Sequence, residues 1–139
     1  MNPQDFQDFM GVLRDTGRSV RSDYHLTLGQ AITALESLKD PNAPVVFDWH
    51  GFYPGAPNSY RGYYADLALD WGEDPIVVDI LLRSLVGSLG QEFGGYKGGS
   101  FLMGADTPLW AARYGALGRA IIDIKQENGV VTLETKEID

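Results

Sequence analysis

The sequence predicts an α+β fold, with about three helices packed on an antiparallel or mixed β-sheet that ends in a C-terminal β-hairpin. Three observations predict it. Apolar residues at helical spacing follow a capping signal at Thr27 and recur from Ile80 to Leu89. Residues 45–49 are β-rich, and residues 65–71 alternate apolar and polar. An Asn-Gly pair at 128–129 separates two strand-like runs, as a tight hairpin requires. At 139 residues, 44% hydrophobic and 22% charged, the chain has the size of one domain with a real core. That domain is expected over residues 24–139, behind an N-terminal helical arm over 1–23.

In chain order, Asn2 and Pro3 suit an N-cap and first helical position, and Phe6, Phe9, Met10 and Leu13 share one face. A helix is therefore expected from Pro3 to Thr16. Arg14, Arg18 and Arg21 lie at or beyond its end, where cations complement the helix dipole. This arm either packs on its own domain or touches a neighbouring subunit. Tyr24 to Leu26 reads as extended, and Thr27 with Gln30 forms a capping box opening a helix striped by Leu28, Ile32, Leu35 and Leu38. Asp40-Pro41-Asn42 stops that helix, and Val45, Val46, Phe47 and Trp49 form a β-rich run.

Residues 49–64 hold Trp49, Phe52, Tyr53, Tyr60, Tyr63 and Tyr64, broken by glycines and prolines, so no helix is expected there. From Ala65 to Trp71 a strand places Leu67, Leu69 and Trp71 on one face and Asp66 and Asp70 on the other. Ile76 and Val77 form a short strand before a helix whose Ile80, Leu81, Leu82, Leu85, Val86 and Leu89 are too many for a surface stripe, which predicts a central position. After Gly90 comes a glycine-rich bend, then a strand near Trp110 to Ala112. Arg119 to Lys125 then pairs with Val130 to Lys136.

Charge narrows the partners. Nineteen acidic against eleven basic side chains give a net charge of -8, which repels a nucleic-acid polymer, so an anionic ligand needs a local basic pocket. With no cysteine, disulfides, thiolate metal sites and cysteine nucleophiles are excluded. Residues 1–23 contain no apolar run of signal-peptide or membrane-span length, which reads as a soluble, intracellular protein with no membrane partner.

No conventional catalytic set stands out. His25 and His50 lie in no metal-ligand spacing, so neither a metal nor another cofactor is expected. His50, between Trp49 and Gly51, is either a satisfied structural histidine or one that faces a ligand. No serine sits in a Gly-x-Ser-x-Gly elbow. Asp66, Asp70, Asp74 and Asp79 read as solvated strand edges and helix-start residues.

Gly94 to Ser100 contains Lys97 but lacks the glycine-lysine-serine/threonine pattern of a triphosphate loop. It is either a simple bend or a ligand-wrapping loop in which Lys97 meets a phosphate. Ser59-Tyr60-Arg61-Gly62-Tyr63-Tyr64 sets a guanidinium among rings, the chemistry that stacks on a base and grips a phosphate; a tyrosine-rich strand end with a surface ion pair is the plainer account. Arg113 beside Tyr114 repeats the pairing. The candidate binding residues are therefore Tyr60, Arg61, Tyr64, Tyr96, Lys97 and Arg113, and the ligand they suit is a small nucleotide.

Ser59 to Ala68, Gly95-Tyr96-Lys97-Gly98-Gly99, and Asp106-Thr107-Pro108-Leu109-Trp110, with Leu26 to Gln30 before them, resemble a recurrent small bacteriophage protein family over roughly Tyr24 to Ile124. Through it the chain resembles the phage anti-defence sponges, the Thoeris anti-defence and anti-CBASS proteins that sequester nucleotide immune signals without chemistry. The resemblance implies a homo-oligomer, a dimer or higher, in the cytoplasm of an infected bacterial cell. It also implies pockets for cyclic oligonucleotides or cyclic ADP-ribose isomers. Two other expectations stay open. One is an acidic inhibitor of a host defence enzyme; the other is an enzyme that degrades the messenger with His50 as acid or base.

Overall fold

The computed structural model describes residues 25–60, 65–94, 99–113 and 118–137. The expected helix over Pro3 to Thr16 lies outside them. Two helices are found among the described residues where three were expected for the whole chain: α1 (Leu28–Glu36) and α2 (Val78–Ser88). The strands are β1 (Val45–Phe47), β2 (Tyr53–Ser59), β3 (Leu67–Gly72), β4 (Glu92–Gly94), β5 (Ser100–Leu102), β6 (Leu109–Ala111), β7 (Arg119–Glu127) and β8 (Val130–Glu137). The fold is α+β, and its main sheet is mixed.

Six strands run in the order β1-β8-β7-β6-β3-β2, while β4 and β5 make a separate two-stranded sheet. The β1–β8 and β3–β6 pairs are parallel, and the others antiparallel. β1 and β2 stand at opposite edges of that order, yet only residues 48–52 join them. A flat sheet of six strands would hold its edges roughly 24 Å apart at the usual spacing. Instead the Phe47 N–H donates to the Phe52 carbonyl at 2.8 Å, so the sheet curls until its edges meet. The connecting turn has His50 at φ 55° and Gly51 at φ 64°, the paired left-handed residues of a type I′ turn.

The expected capping box is present: the Gln30 N–H donates to Thr27 Oγ1 at 3.2 Å and the Thr27 N–H to Gln30 Oε1 at 2.9 Å. Gly29 follows because the chain passes close to Ala105; its N–H donates to the Ala105 carbonyl at 2.9 Å, and a Cβ there would sit 3.0 Å from that oxygen. The buried stripes of both helices, Leu28, Ile32 and Leu35 from α1 with Leu81 and Leu85 from α2, meet Val45, Phe47, Leu67, Leu69, Leu109, Ile121 and Leu133 from the sheet's inner face.

α2 corrects one expectation. It buries a single side, and Ile80, Val86 and Leu89 are each almost half exposed, so its apolar excess does not make it central. Ile76 and Val77 form no strand; Val77 makes one isolated bridge to Pro44. The C-terminal hairpin is as expected, turning through Asn128 at φ 52° and Gly129 at φ 79°. Among the described residues, no helix is long and apolar enough to cross a membrane.

Candidate functional site

The parallel pairs fix where functional side chains can meet. β1, β3, β6 and β8 all end at the same rim of the curled sheet, and β2 and β7 begin there. Asp48, Phe52, Trp71, Arg113, Arg119, Thr135 and Glu137 therefore converge although they are spread over ninety residues of sequence.

Aromatic rings close this rim. Trp49 packs on the buried Phe47 with ring centroids 5.0 Å apart, and its ring meets Trp71 at 5.2 Å and Phe52 at 5.7 Å in edge-on arrangements. Phe52 lies nearly parallel to Trp71 at 6.3 Å, with an interplanar angle of 24°. Their inner sides touch the hydrophobic core, while all three remain half-buried, so ring surface reaches solvent. His50 is exposed on its turn, its ring 5.7 Å from Phe52 and 6.5 Å from Trp49.

Two guanidiniums flank the rings. Arg113 lies over Trp71, 5.4 Å from the ring centroid, and Arg119 over Trp49 at 5.1 Å, both within cation–π range. Each is also held by oxygen. Arg113 donates through Nε to Asp70 Oδ1 at 3.1 Å and through Nη2 to the Trp71 carbonyl. Arg119 donates through Nε to Thr135 Oγ1 at 2.8 Å and through Nη1 to Glu137 Oε1 at 3.2 Å. Thr135 in turn donates its hydroxyl to Asp48 Oδ1 at 2.6 Å and its N–H to Asp48 Oδ2 at 2.9 Å, which fixes the hydroxyl that Arg119 uses.

Of the six residues singled out in the sequence, Arg113 stands in this platform. Arg61, Tyr64, Tyr96 and Lys97 lie outside the described residues. Tyr60 does not belong to it. Only 4% exposed, its ring stacks on Trp110 at 4.2 Å and 15°, on the outer face of β3 and β6. Gly118 admits this ring, since a Cβ there would fall 2.6 Å from it.

The same outer cluster corrects the reading of Asp66 as a solvated strand-edge residue. Asp66 is 1% exposed and accepts the Trp110 Nε1–H at 3.1 Å. His25 is also buried there, 4.4 Å from Trp110. Asp70, four residues along, is exposed as expected. Asp79 lies in the first turn of α2, also as expected, paired with Arg83 at 3.0 Å.

Sequence reasoning passed over Trp71, Phe52, Arg119 and Asp70 as site residues. The available signal was strand parity, which turns Trp71 to the inner face at the last inward position of β3. No family profile, no curated protein and no solved structure matches this chain.

Proposed function

We propose that the chain is a binding protein that captures a small nucleotide-derived anion without converting it. In this reading it acts in the cytoplasm of a phage-infected bacterium, as a homo-oligomer, and withholds a cyclic oligonucleotide or cyclic ADP-ribose isomer from a host defence effector. The observation that carries the reading is Arg113 lying 5.4 Å over the half-buried Trp71, with Trp49 and Phe52 beside it. A base needs an apolar face and a phosphate needs a fork of N–H donors, and this pair supplies both in one place. The motif resemblance around Ser59 to Ala68 and Gly95 to Gly99 supports the same ligand class, and Arg61 and Lys97 would add charge to a protein whose overall balance of -8 disfavours a nucleic-acid polymer.

Sequestration demands tight binding, with a nanomolar Kd corresponding to about -12 kcal/mol. A thermal-shift panel of cyclic dinucleotides, cyclic trinucleotides and cyclic ADP-ribose isomers tests it, since a tight ligand raises the midpoint by mass action. One member is expected to shift the midpoint, and heat-denaturing the complex is expected to release that ligand intact. A converted product would favour an enzyme with His50 as acid or base. Silence across the panel would favour the acidic-inhibitor reading, to which the exposed Ile80 and Val86 on α2, with Leu89 just beyond it, lend a specific surface.

A further inference from the structure

The two guanidiniums of the platform are not equivalent, and the difference assigns them different work. Arg119 has a side chain 22% exposed, and the hydroxyl it donates to is itself tied to Asp48. Moving Arg119 breaks a chain of three hydrogen-bonded groups. Arg113 has a side chain 50% exposed, and its carboxylate partner Asp70 is 54% exposed. An ion pair in this setting contributes little to stability and exchanges readily.

Asp70 is also placed to stay where it is when Arg113 lets go. Its Oδ1 accepts the N–H of Trp71 at 2.8 Å, a contact within its own strand. Across from it the β2 register shifts between Pro54 and Pro57, and Gly55 faces it without a side chain; a Cβ at Gly55 would lie 3.4 Å from the Asp70 Cβ. The Trp71 N–H therefore gives the carboxylate a local partner independent of the arginine it neutralises.

We infer that Asp70 is a built-in competitor for the anion site: in the free protein its carboxylate occupies Arg113, and a bound phosphate takes that place. This rests on the reading of the platform as a ring-and-anion site, and it adds the residue that sets the threshold. Asp70 makes weak anions poor ligands, because each must displace a carboxylate and then sit beside it as a like charge. A ligand with both a ring for Trp71 and a phosphate for Arg113 overcomes that barrier, whereas a bare anion does not. Asp70 thus acts on selectivity through Arg113 as a positioning residue.

The test is calorimetric titration of the full chain with inorganic pyrophosphate and, separately, with cyclic ADP-ribose. The proteins compared are wild type, Asp70→Asn, Asp70→Ser, Asp70→Asn/Arg113→Ala, and Glu127→Gln, which removes one exposed negative charge at the far end of the β7–β8 hairpin. Asparagine retains an oxygen for the Trp71 N–H, and serine provides a second variant should the first fold poorly. Asp70→Asn is expected to bind pyrophosphate about fivefold or more tightly than wild type, the double variant to lose that gain, and Glu127→Gln to show none of it. Unchanged or weaker pyrophosphate binding by both Asp70 variants, including no binding by any protein, overturns the inference even if cyclic ADP-ribose binds well. A pyrophosphate gain in the Asp70 variants while no member of the thermal-shift panel binds leaves the inference standing and removes the nucleotide reading.

Discussion

Asp66, just before β3, and Asp70, within it, stand four residues apart, and each carboxylate accepts an N–H beside a tryptophan. One is sealed and the other open. Asp66 is buried with Tyr60, Trp110 and His25, and its hydrogen bond to Trp110 fixes a core-like cluster. Asp70 meets Arg113 at the solvent-facing rim, where ring surface and charge remain accessible. The lesson is that an aromatic beside a charged group is a packing device or a binding device according to where its strand position leaves it, and the residue types alone do not decide.

The contrast can be broken most forcefully at Trp110. Trp110→Ala should cost about 3–5 kcal/mol, because it empties the sealed cluster and leaves the Asp66 carboxylate without an indole donor. Urea unfolding measures this, and a loss below that of Trp71→Ala would mean the clusters have been ranked the wrong way round. Next in size, Gly118→Ala forces a methyl into the Tyr60 ring, with an expected loss of about 1–3 kcal/mol. Adding Tyr60→Leu should return part of that loss, and strict additivity of the two changes would count against the contact.

At the open cluster the expected effect moves from stability to binding. Arg113→Ala should change unliganded stability by no more than about 1 kcal/mol, since both partners of the ion pair are half exposed. The same change should abolish ligand-dependent stabilisation in the thermal-shift panel. Unfolding on this substitution would make Arg113 structural.

A smaller effect is expected at the turn that joins the sheet edges. His50→Gly should stabilise the protein by roughly 0.5–1 kcal/mol, the relief of a left-handed non-glycine residue less the added freedom of the unfolded chain. Asn128→Gly should gain less, as asparagine tolerates that conformation better.

The smallest effect belongs to the exposed Lys125, whose ammonium is held above its ordinary value first by a hydrogen bond to Glu134 and then by that residue's charge. Because the folded value is raised, the contribution is complete at neutral pH and is lost as pH rises through that value. Lys125→Met loses that whole contribution at neutral pH, and because the ion pair is solvent-exposed the melting midpoint should fall only slightly.

Local signals were legible wherever a feature is closed by near neighbours. The Thr27–Gln30 box, the Asn128–Gly129 turn and the β7–β8 pairing need only residues within one helix turn or one hairpin. β2 was not legible, because the prolines and glycine of Tyr53-Pro54-Gly55-Ala56-Pro57 argue against a helix without marking a strand. Two prolines are tolerated there since the strand is an edge with a register shift between them.

The site was half legible for a similar reason. Arg113 could be chosen from its aromatic surroundings in sequence, although the ring it meets, Trp71, lies more than forty residues away. Tyr60 and Asp66 misled because the indole that buries them is Trp110, distant in sequence and brought close only by the parallel β3–β6 pairing.

That β1 lies parallel to β8 has a consequence for biogenesis. The partner of Val45 is Val131, and that of Phe47 is Leu133, so β1 waits on a segment more than eighty residues further along the chain. Such distant pairing slows folding to the millisecond-to-second regime common in β-rich proteins. A chain still emerging from the ribosome holds Val45–Phe47 without its β8 partner until Val130–Glu137 clears the exit tunnel, an unpaired strand edge of the kind chaperones and proteases engage.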